Sequence, residues 1–192
     1  YCIEFIDKAS KKLKPFCLYF APNAPHAPAT PADEDKFLSI DLPDFPPSFD
    51  EEDISDKPNW LQEKEPRLSD DKKHELNEFR NDQLLSLRSL DRNIERIIHK
   101  LEEAELLDKT VVFFLSDNGK LWGEHRMSSK NSFYEEASRT PFALRYPPLV
   151  LTPYIEEKPV SNIDIAPTLY DLARIPTPEG VDGVSLVPLL LA

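Results

Sequence analysis

The stretch Val111-Val112-Phe113-Phe114-Leu115-Ser116-Asp117-Asn118-Gly119 decides how this chain reads. A continuous run of β-branched and aromatic residues is the pattern of a strand buried on both faces, as in a parallel sheet. The polar Ser116-Asp117-Asn118-Gly119 then stops it. Immediately upstream, from about Asp70 to Leu107, the spacing changes to that of a long helix. Leu76, Phe79, Leu84, Leu87, Leu90, Ile94, Ile97 and Leu101 mark one face. Asp91, Arg92, Glu95, Arg96 and Lys100 lie beside or opposite it, as a solvated surface does. His74 and His99 belong to that helix and are assigned no function.

The grammar repeats further out. Ile3, Ile6, Ala9 and Leu13 are spaced as one helical face, and Phe16 to Phe20 reads as a short buried strand. Cys17 lies within that run and is expected to be a buried strand thiol. Ala21-Pro22-Asn23-Ala24-Pro25-His26-Ala27-Pro28 follows, too rich in proline for a helix or a central strand. Residues 33–69 are acidic and broken by proline, and read as a surface excursion. Phe142 to Tyr146 is a further candidate strand. A helix is expected around Pro167 to Ala173, with Pro167 suited to its first turn. Strand, loop, long helix, strand, loop is the order of α/β layered folds, here with a mostly parallel sheet flanked by helices. Ligands of such sheets gather beyond the carboxyl ends of the strands. The loops carrying His26 and Asp117-Asn118 both follow strand carboxyl ends, which places them at one edge.

Composition narrows the function. The net charge of −12 excludes a general nucleic-acid binder, which needs a basic face. Any anionic substrate must therefore be met by local cations. No apolar run reaches the roughly 20 residues of a membrane-spanning helix. With only Cys2 and Cys17, a disulfide scaffold is ruled out. The chain opens at Tyr1 and pairs 4 glycines with 19 prolines, which suggests a piece of a longer protein.

Four groups carry chemistry. Asp117 and Asn118 present a carboxylate and an amide oxygen, hard donors suited to Ca²⁺ or Mg²⁺, although Asp-Asn-Gly is also an ordinary turn. Lys130 is a compact positive charge able to hold a sulfate or phosphate oxygen. His26 can donate to an anion or protonate a leaving group. His125 is a further candidate of the same kind.

The order of these features resembles the sulfatase family over nearly the whole of residues 1–192. Pro15-Phe16-Cys17-Leu18-Tyr19-Phe20-Ala21-Pro22 running into Ala24-Pro25-His26-Ala27-Pro28 looks like its strand and histidine loop. Leu115-Ser116-Asp117-Asn118-Gly119 looks like its metal-binding strand end. Gly123-Glu124-His125, Lys130-Asn131, Tyr134-Glu135-Glu136 and Arg139-Thr140-Pro141 look like the loop that delivers its sulfate-binding lysine. Asn162-Ile163-Asp164-Ile165-Ala166-Pro167-Thr168-Leu169, then Val181-Asp182-Gly183-Val184-Ser185-Leu186, look like the stretch closing its large domain. Asp53-Ile54-Ser55-Asp56-Lys57-Pro58 and the long helix are most similar to bacterial relatives of N-acetylglucosamine-6-sulfatase.

The resemblance implies an alkaline-phosphatase-like α/β fold and hydrolysis of sulfate esters, of sulfated carbohydrates or aryl sulfates. It implies Ca²⁺ held in part by Asp117 and Asn118, with Lys130 and His26 as catalytic and sulfate-contacting residues and His125 near the substrate. It implies a periplasmic, secreted or lysosomal setting. The family's formylglycine arises in a Cys/Ser-x-Pro/Ala-x-Arg motif that does not occur here, nor does its paired-aspartate strand end. Residues 1–192 are accordingly expected to be the C-terminal part of a catalytic domain, inactive alone. Arg145-Tyr146-Pro147-Pro148 also departs from the family's Gly-Pro-Gly turn. Two rival readings are a phosphoesterase or phosphonate hydrolase of the same superfamily, disfavoured by Asn118 where those enzymes often place histidine, and a non-catalytic remnant.

Overall fold

The computed structural model describes residues 1–12, 14–64 and 66–191. Leu13, expected to close the first helical face, lies outside the described residues. The described chain forms two compact units, residues 1–104 with 118–140, and residues 105–117 with 141–192.

The first unit is organised by helices. α1 spans Cys2–Ser10, α2 spans Asn59–Lys64 and α3 spans Asp70–Glu103. At 1.5 Å per residue, α3 is about 50 Å long. Its start is set chemically: the Ser69 hydroxyl accepts the Lys72 amide at 3.2 Å, and Asp70 and Asp71 face the positive helix end. α1 packs on α3 through Ile6, which is 0% exposed, with Lys100 reaching Asp7 at 3.5 Å. Phe5 meets Phe16 edge to face at 5.9 Å.

The buried face of α3 is not the purely apolar one expected. Leu76 and Leu101 are buried as predicted, but at mid-helix Gln83, Leu85 and Ser86 lie deepest. Burying an amide is costly unless its hydrogen bonds are made, and those of Gln83 are made in both directions. Its Nε2 donates to the Pro25 carbonyl at 2.8 Å, and its Oε1 accepts the Trp122 indole N–H at 2.6 Å.

Residues 33–69 are anchored to α3 by buried carboxylates as well as by Ile54 and Leu61. Asp35 receives Arg92 at 2.6 and 3.0 Å and Arg88 at 3.5 Å, and Glu34 also pairs with Arg92. These bonds, that of Arg92 foremost, hold the Asp35 carboxyl below the ordinary carboxylate range against the opposing effect of burial.

Asp50 is the second anchor. It accepts Lys73 at 2.7 Å, the Leu68 amide at 2.8 Å and Arg67 at 3.2 Å. Burial alone would raise its pKa, but Lys73, the Leu68 N–H and Arg67 outweigh it and the pKa falls. The sign of the linkage follows. A carboxyl lowered in the folded state stabilises above the ordinary carboxylate pKa and loses that contribution as pH falls through the lowered value. Asp50→Asn removes the titration. Urea midpoints taken between about pH 6 and about pH 3 should therefore fall less in the variant than in the wild type. Equal slopes would show that Asp50 carries no such linkage.

Two short strands pair in this unit, β2, Leu121–Trp122, and β3, Ser128–Ser129. They are antiparallel, with Leu121 opposite Ser129 and Trp122 opposite Ser128. The single turn α4, Glu135–Ser138, follows.

The second unit carries β1, Val112–Leu115, paired with β4, Phe142–Arg145. The pairing is antiparallel, Val112 with Arg145 through Leu115 with Phe142, and Phe113 meets Phe142 edge to face at 6.1 Å. Arg145 is tied down by the Leu107 carbonyl at 3.0 Å and Asp108 at 2.6 Å. A 3₁₀ turn at Asn162–Asp164 leads into α5, Ile165–Leu172, and α6 spans Val187–Leu190. Asp164 holds this end together: its carboxylate accepts the Ser161 amide at 2.8 Å and the Val184 amide at 2.9 Å. Thr168, fully buried, donates to the Asp164 carbonyl at 2.6 Å and accepts the Leu186 amide at 2.8 Å.

Three strand expectations are corrected. The run at Val111 is an antiparallel strand, not a parallel one, and Phe114 and Leu115 are exposed rather than buried. An apolar run specifies pairing but not direction, which the connection to β4 decides. Phe16 to Phe20 joins no ladder among the described residues. A strand exists only through a hydrogen-bonding neighbour, which composition cannot supply. Cys17 is consequently exposed instead of buried.

Candidate active site

The loop that follows β1 is shaped by a close backbone approach. The Gly119 amide donates to the Ala137 carbonyl of α4 at 2.9 Å. A Cβ at position 119 would lie 2.2 Å from the Glu136 carbonyl oxygen and 3.0 Å from that of Arg139. Only glycine fits, and the contact fixes Asn118 beside the α4 turn.

The next element is the β2–β3 hairpin, whose connection is forced into left-handed backbone. Gly123, His125 and Arg126 have φ of 123°, 53° and 60°. Such geometry costs free energy at non-glycine residues and needs external support. The support comes from residues 48–52. The Asp50 amide donates to the Gly123 carbonyl at 2.9 Å and the His125 amide to the Ser48 carbonyl at 2.7 Å. Arg126 donates to the Glu51 and Glu52 carbonyls at 2.9 and 2.8 Å. The Glu124 carboxylate accepts the Trp122 amide at 2.5 Å.

This scaffold sets the charged groups. Lys130 Nζ donates to Asn118 Oδ1 at 3.0 Å, which unites two of the residues expected to form the site. Asn118 Nδ2 donates to the Gly119 carbonyl at 2.8 Å. Lys120 is half-buried, its ammonium 5.4 Å from the centre of the Phe79 ring. Burial lowers its pKa, repulsion by Lys130 and Lys72 adds to that, and Glu124 acts in the opposite direction.

His26 sits in an exposed turn between two cis prolines, Pro25 and Pro28, with Nδ1 3.0 Å from the Ala27 carbonyl. Its own ring contact is therefore within its loop. The loop is connected to the hairpin indirectly, through the Gln83 bridge between Pro25 and Trp122. His125 is enclosed: Nδ1 lies 3.1 Å from Glu51, Nε2 lies 3.4 Å from Glu136, and the ring stacks on Tyr134 at 4.1 Å. Asp117 is exposed, and its carbonyl accepts Asn162 Nδ2 at 3.1 Å.

Gln83, Glu51 and Lys120 were not anticipated. Gln83 is a polar residue on a helix, and Glu51 is one acid among many in a charged segment. Position 120 has a readable signal only once the strand register is known.

The donor chemistry at Asp117 and Asn118 suits a hard cation in kind but not in number. Ca²⁺ takes about six to eight oxygen ligands. Among the described residues no three His, Cys, Asp or Glu side chains gather as a metal-binding group.

Comparisons with known proteins give the family. A sequence model of the Sulfatase family matches residues 1–175. The Drosophila melanogaster extracellular sulfatase SULF-1 homolog is 33% identical over 188 residues, covering 97% of this chain and 17% of that protein. Arylsulfatase K of Gallus gallus is 34% identical over 210 residues, covering 98% of this chain and 38% of its own. The chain belongs to the sulfatase family. It spans well under two thirds of the length of these relatives.

Among solved structures, a Bacteroides fragilis protein described as a sulfatase superposes with a TM-score of 0.74 at 25% identity, covering 100% of this chain and 39% of that one. A protein solved with its substrate D-glucosamine-2-N,6-O-disulfate gives a TM-score of 0.52 at 34% identity, covering 60% and 23%. The fold is α/β and of the alkaline-phosphatase-like kind that such neighbours share. No helix among the described residues is long and apolar enough to cross a membrane.

Proposed function

We propose that the whole protein hydrolyses sulfate esters, and that the observation carrying this reading is the Lys130–Asn118 pair, 3.0 Å apart beside the Gly119 turn. Lys130 supplies a local positive charge in a chain of net charge −12, where the overall field repels an anion. Its ammonium holds a sulfate oxygen and neutralises charge that builds there as the S–O bond breaks. His26 protonates the leaving oxygen from its exposed turn. His125, held between Glu51 and Glu136, supports the hairpin that delivers Lys130 and acts on substrate through that placement. Asp117 and Asn118 would supply two of the oxygens of a Ca²⁺ site. When bound, that ion adds positive charge against the sulfate oxygens. The attacking oxygen belongs to a formylglycine, expected from a Cys/Ser-x-Pro/Ala-x-Arg motif that is not in residues 1–192. The same reading makes these residues the C-terminal part of a catalytic domain whose central sheet is mostly parallel outside the antiparallel β1–β4 pair, with residues 33–69 as an excursion from it.

Sulfated sugars are the favoured substrates. N-acetylglucosamine-6-O-sulfatase of Bacteroides thetaiotaomicron is 34% identical over 113 residues, 59% of this chain. A second reading has its own support: a phosphonate monoester hydrolase from Silicibacter pomeroyi superposes with a TM-score of 0.56 at 31% identity. Rates on an aryl sulfate, an aryl phosphate and an aryl phosphonate ester separate the two. The sulfate ester is expected to be turned over fastest. A dominant phosphonate or phosphate rate would overturn the sulfatase reading.

A further inference from the structure

Lys120 and Lys130 flank the β2–β3 pair, one just before β2 and the other just after β3. In the β2–β3 hairpin Leu121 lies opposite Ser129 and Trp122 opposite Ser128. The next pair outward in that register is Lys120 with Lys130. Like charges directly across an antiparallel pair are destabilising. The chain has 35 acidic and 23 basic residues, so carboxylates to neutralise such a pair are abundant. Yet among the described residues neither ammonium makes a salt bridge. Glu124 acts on Lys120 from a distance, and its carboxylate is engaged by the Trp122 amide at 2.5 Å.

The two ammonium groups have different partners. Lys130 turns to Asn118, at 3.0 Å, while Lys120 turns to the Phe79 face of α3, at 5.4 Å from the ring centre. One anion held at the Asn118 side leaves Lys120 facing only the Phe79 ring, with no salt-bridge partner among the described residues. The mismatch is relieved by a ligand with two negative groups, one for each lysine. The Lys120 ammonium lies over the Phe79 ring, a contact that orders the side chain and reduces the freedom lost on binding.

We propose that Lys120 binds a second anionic group of the substrate, a sulfate carried on the same sugar as the ester that Lys130 engages. This rests on the sulfatase reading of the site. Lys120 thereby selects doubly charged over singly charged sulfated sugars, a discrimination that the residues placed at the reacting ester do not provide.

The test compares glucosamine-2-N,6-O-disulfate with N-acetylglucosamine 6-sulfate as ligands of the whole protein. Both the ratio of their kcat/KM values and their calorimetric affinities are measured. Lys120→Met removes the charge but keeps an unbranched side chain of similar length, and Lys120→Arg keeps the charge. The wild type should prefer the disulfate, and Lys120→Met should reduce that preference about tenfold, the scale of one lost charged hydrogen bond. Lys120→Arg should retain most of it, which separates the effect from a general loss of structure. If sulfate esters are hydrolysed but the preference does not move in Lys120→Met, the lysine proposal fails and the sulfatase reading stands. If no sulfate ester is hydrolysed, the sulfatase reading fails. Calorimetry then decides for Lys120: tighter binding of the disulfate, lost in Lys120→Met, sustains it, and equal or absent binding of the two sugars overturns it.

Discussion

Gly119→Ala should destabilise the protein by about 3 kcal/mol or more, among the largest effects a single methyl group can have. The reason is the identity of the atoms in the way. The new Cβ would lie 2.2 Å from the Glu136 carbonyl oxygen and 3.0 Å from that of Arg139. These are backbone atoms at α4, and no rotamer change removes them. Either the 118–120 segment or α4 must move, and the hydrogen bond from the Gly119 amide to Ala137, 2.9 Å long, is lost with the movement. Gly180→Ala serves as the comparison. There φ is +83° but nothing lies within 4 Å, so only backbone strain of about 1 to 2 kcal/mol is expected. Urea unfolding of both variants provides the measurement. A Gly119→Ala cost no larger than that of Gly180→Ala would show that the close approach to α4 relaxes easily.

Lys130→Ala should lower kcat/KM on an aryl sulfate by about 10²- to 10³-fold, the scale on which a single preorganised electrostatic group acts. Its stability should barely change, because Lys130 is exposed and its ammonium bonds the Asn118 side chain at the surface. Lys130→Arg should recover part of the loss, since the charge remains while the guanidinium fork cannot occupy the space of a point charge. Turnover unaffected by Lys130→Ala would remove this residue from the site.

What the sequence revealed and what it concealed differ for physical reasons. The long helix was legible because apolar residues recur at helical spacing over thirty-odd residues from about Asp70, and α3 indeed starts at Asp70. The positions of β1, β4 and α5 were legible from short apolar runs and the residues that end them. Sheet direction was not, because antiparallel and parallel strands share the same composition. Neither was Phe16 to Phe20 as a segment without a ladder, since pairing is a property of two segments. The Asn118–Lys130 contact was anticipated only through the order of motifs. The enclosure of His125 by Glu51 and Glu136 was out of reach, because Glu51 is 74 residues away in a segment where acids are common. Gln83 was hidden by its polarity: a glutamine on a helix reads as solvated until both of its partners are known.

Gln83 also makes one chromophore unlike the other. Trp60 is half exposed, whereas the Trp122 indole donates to Gln83, whose amide in turn holds Pro25, next to His26. Indole emission depends on hydrogen bonding and local polarity, so Trp122 is an intrinsic fluorophore wired to the histidine loop. With Trp60→Phe as the background, the emission of a single native residue reads out whether that loop is seated, without any label being attached to the protein.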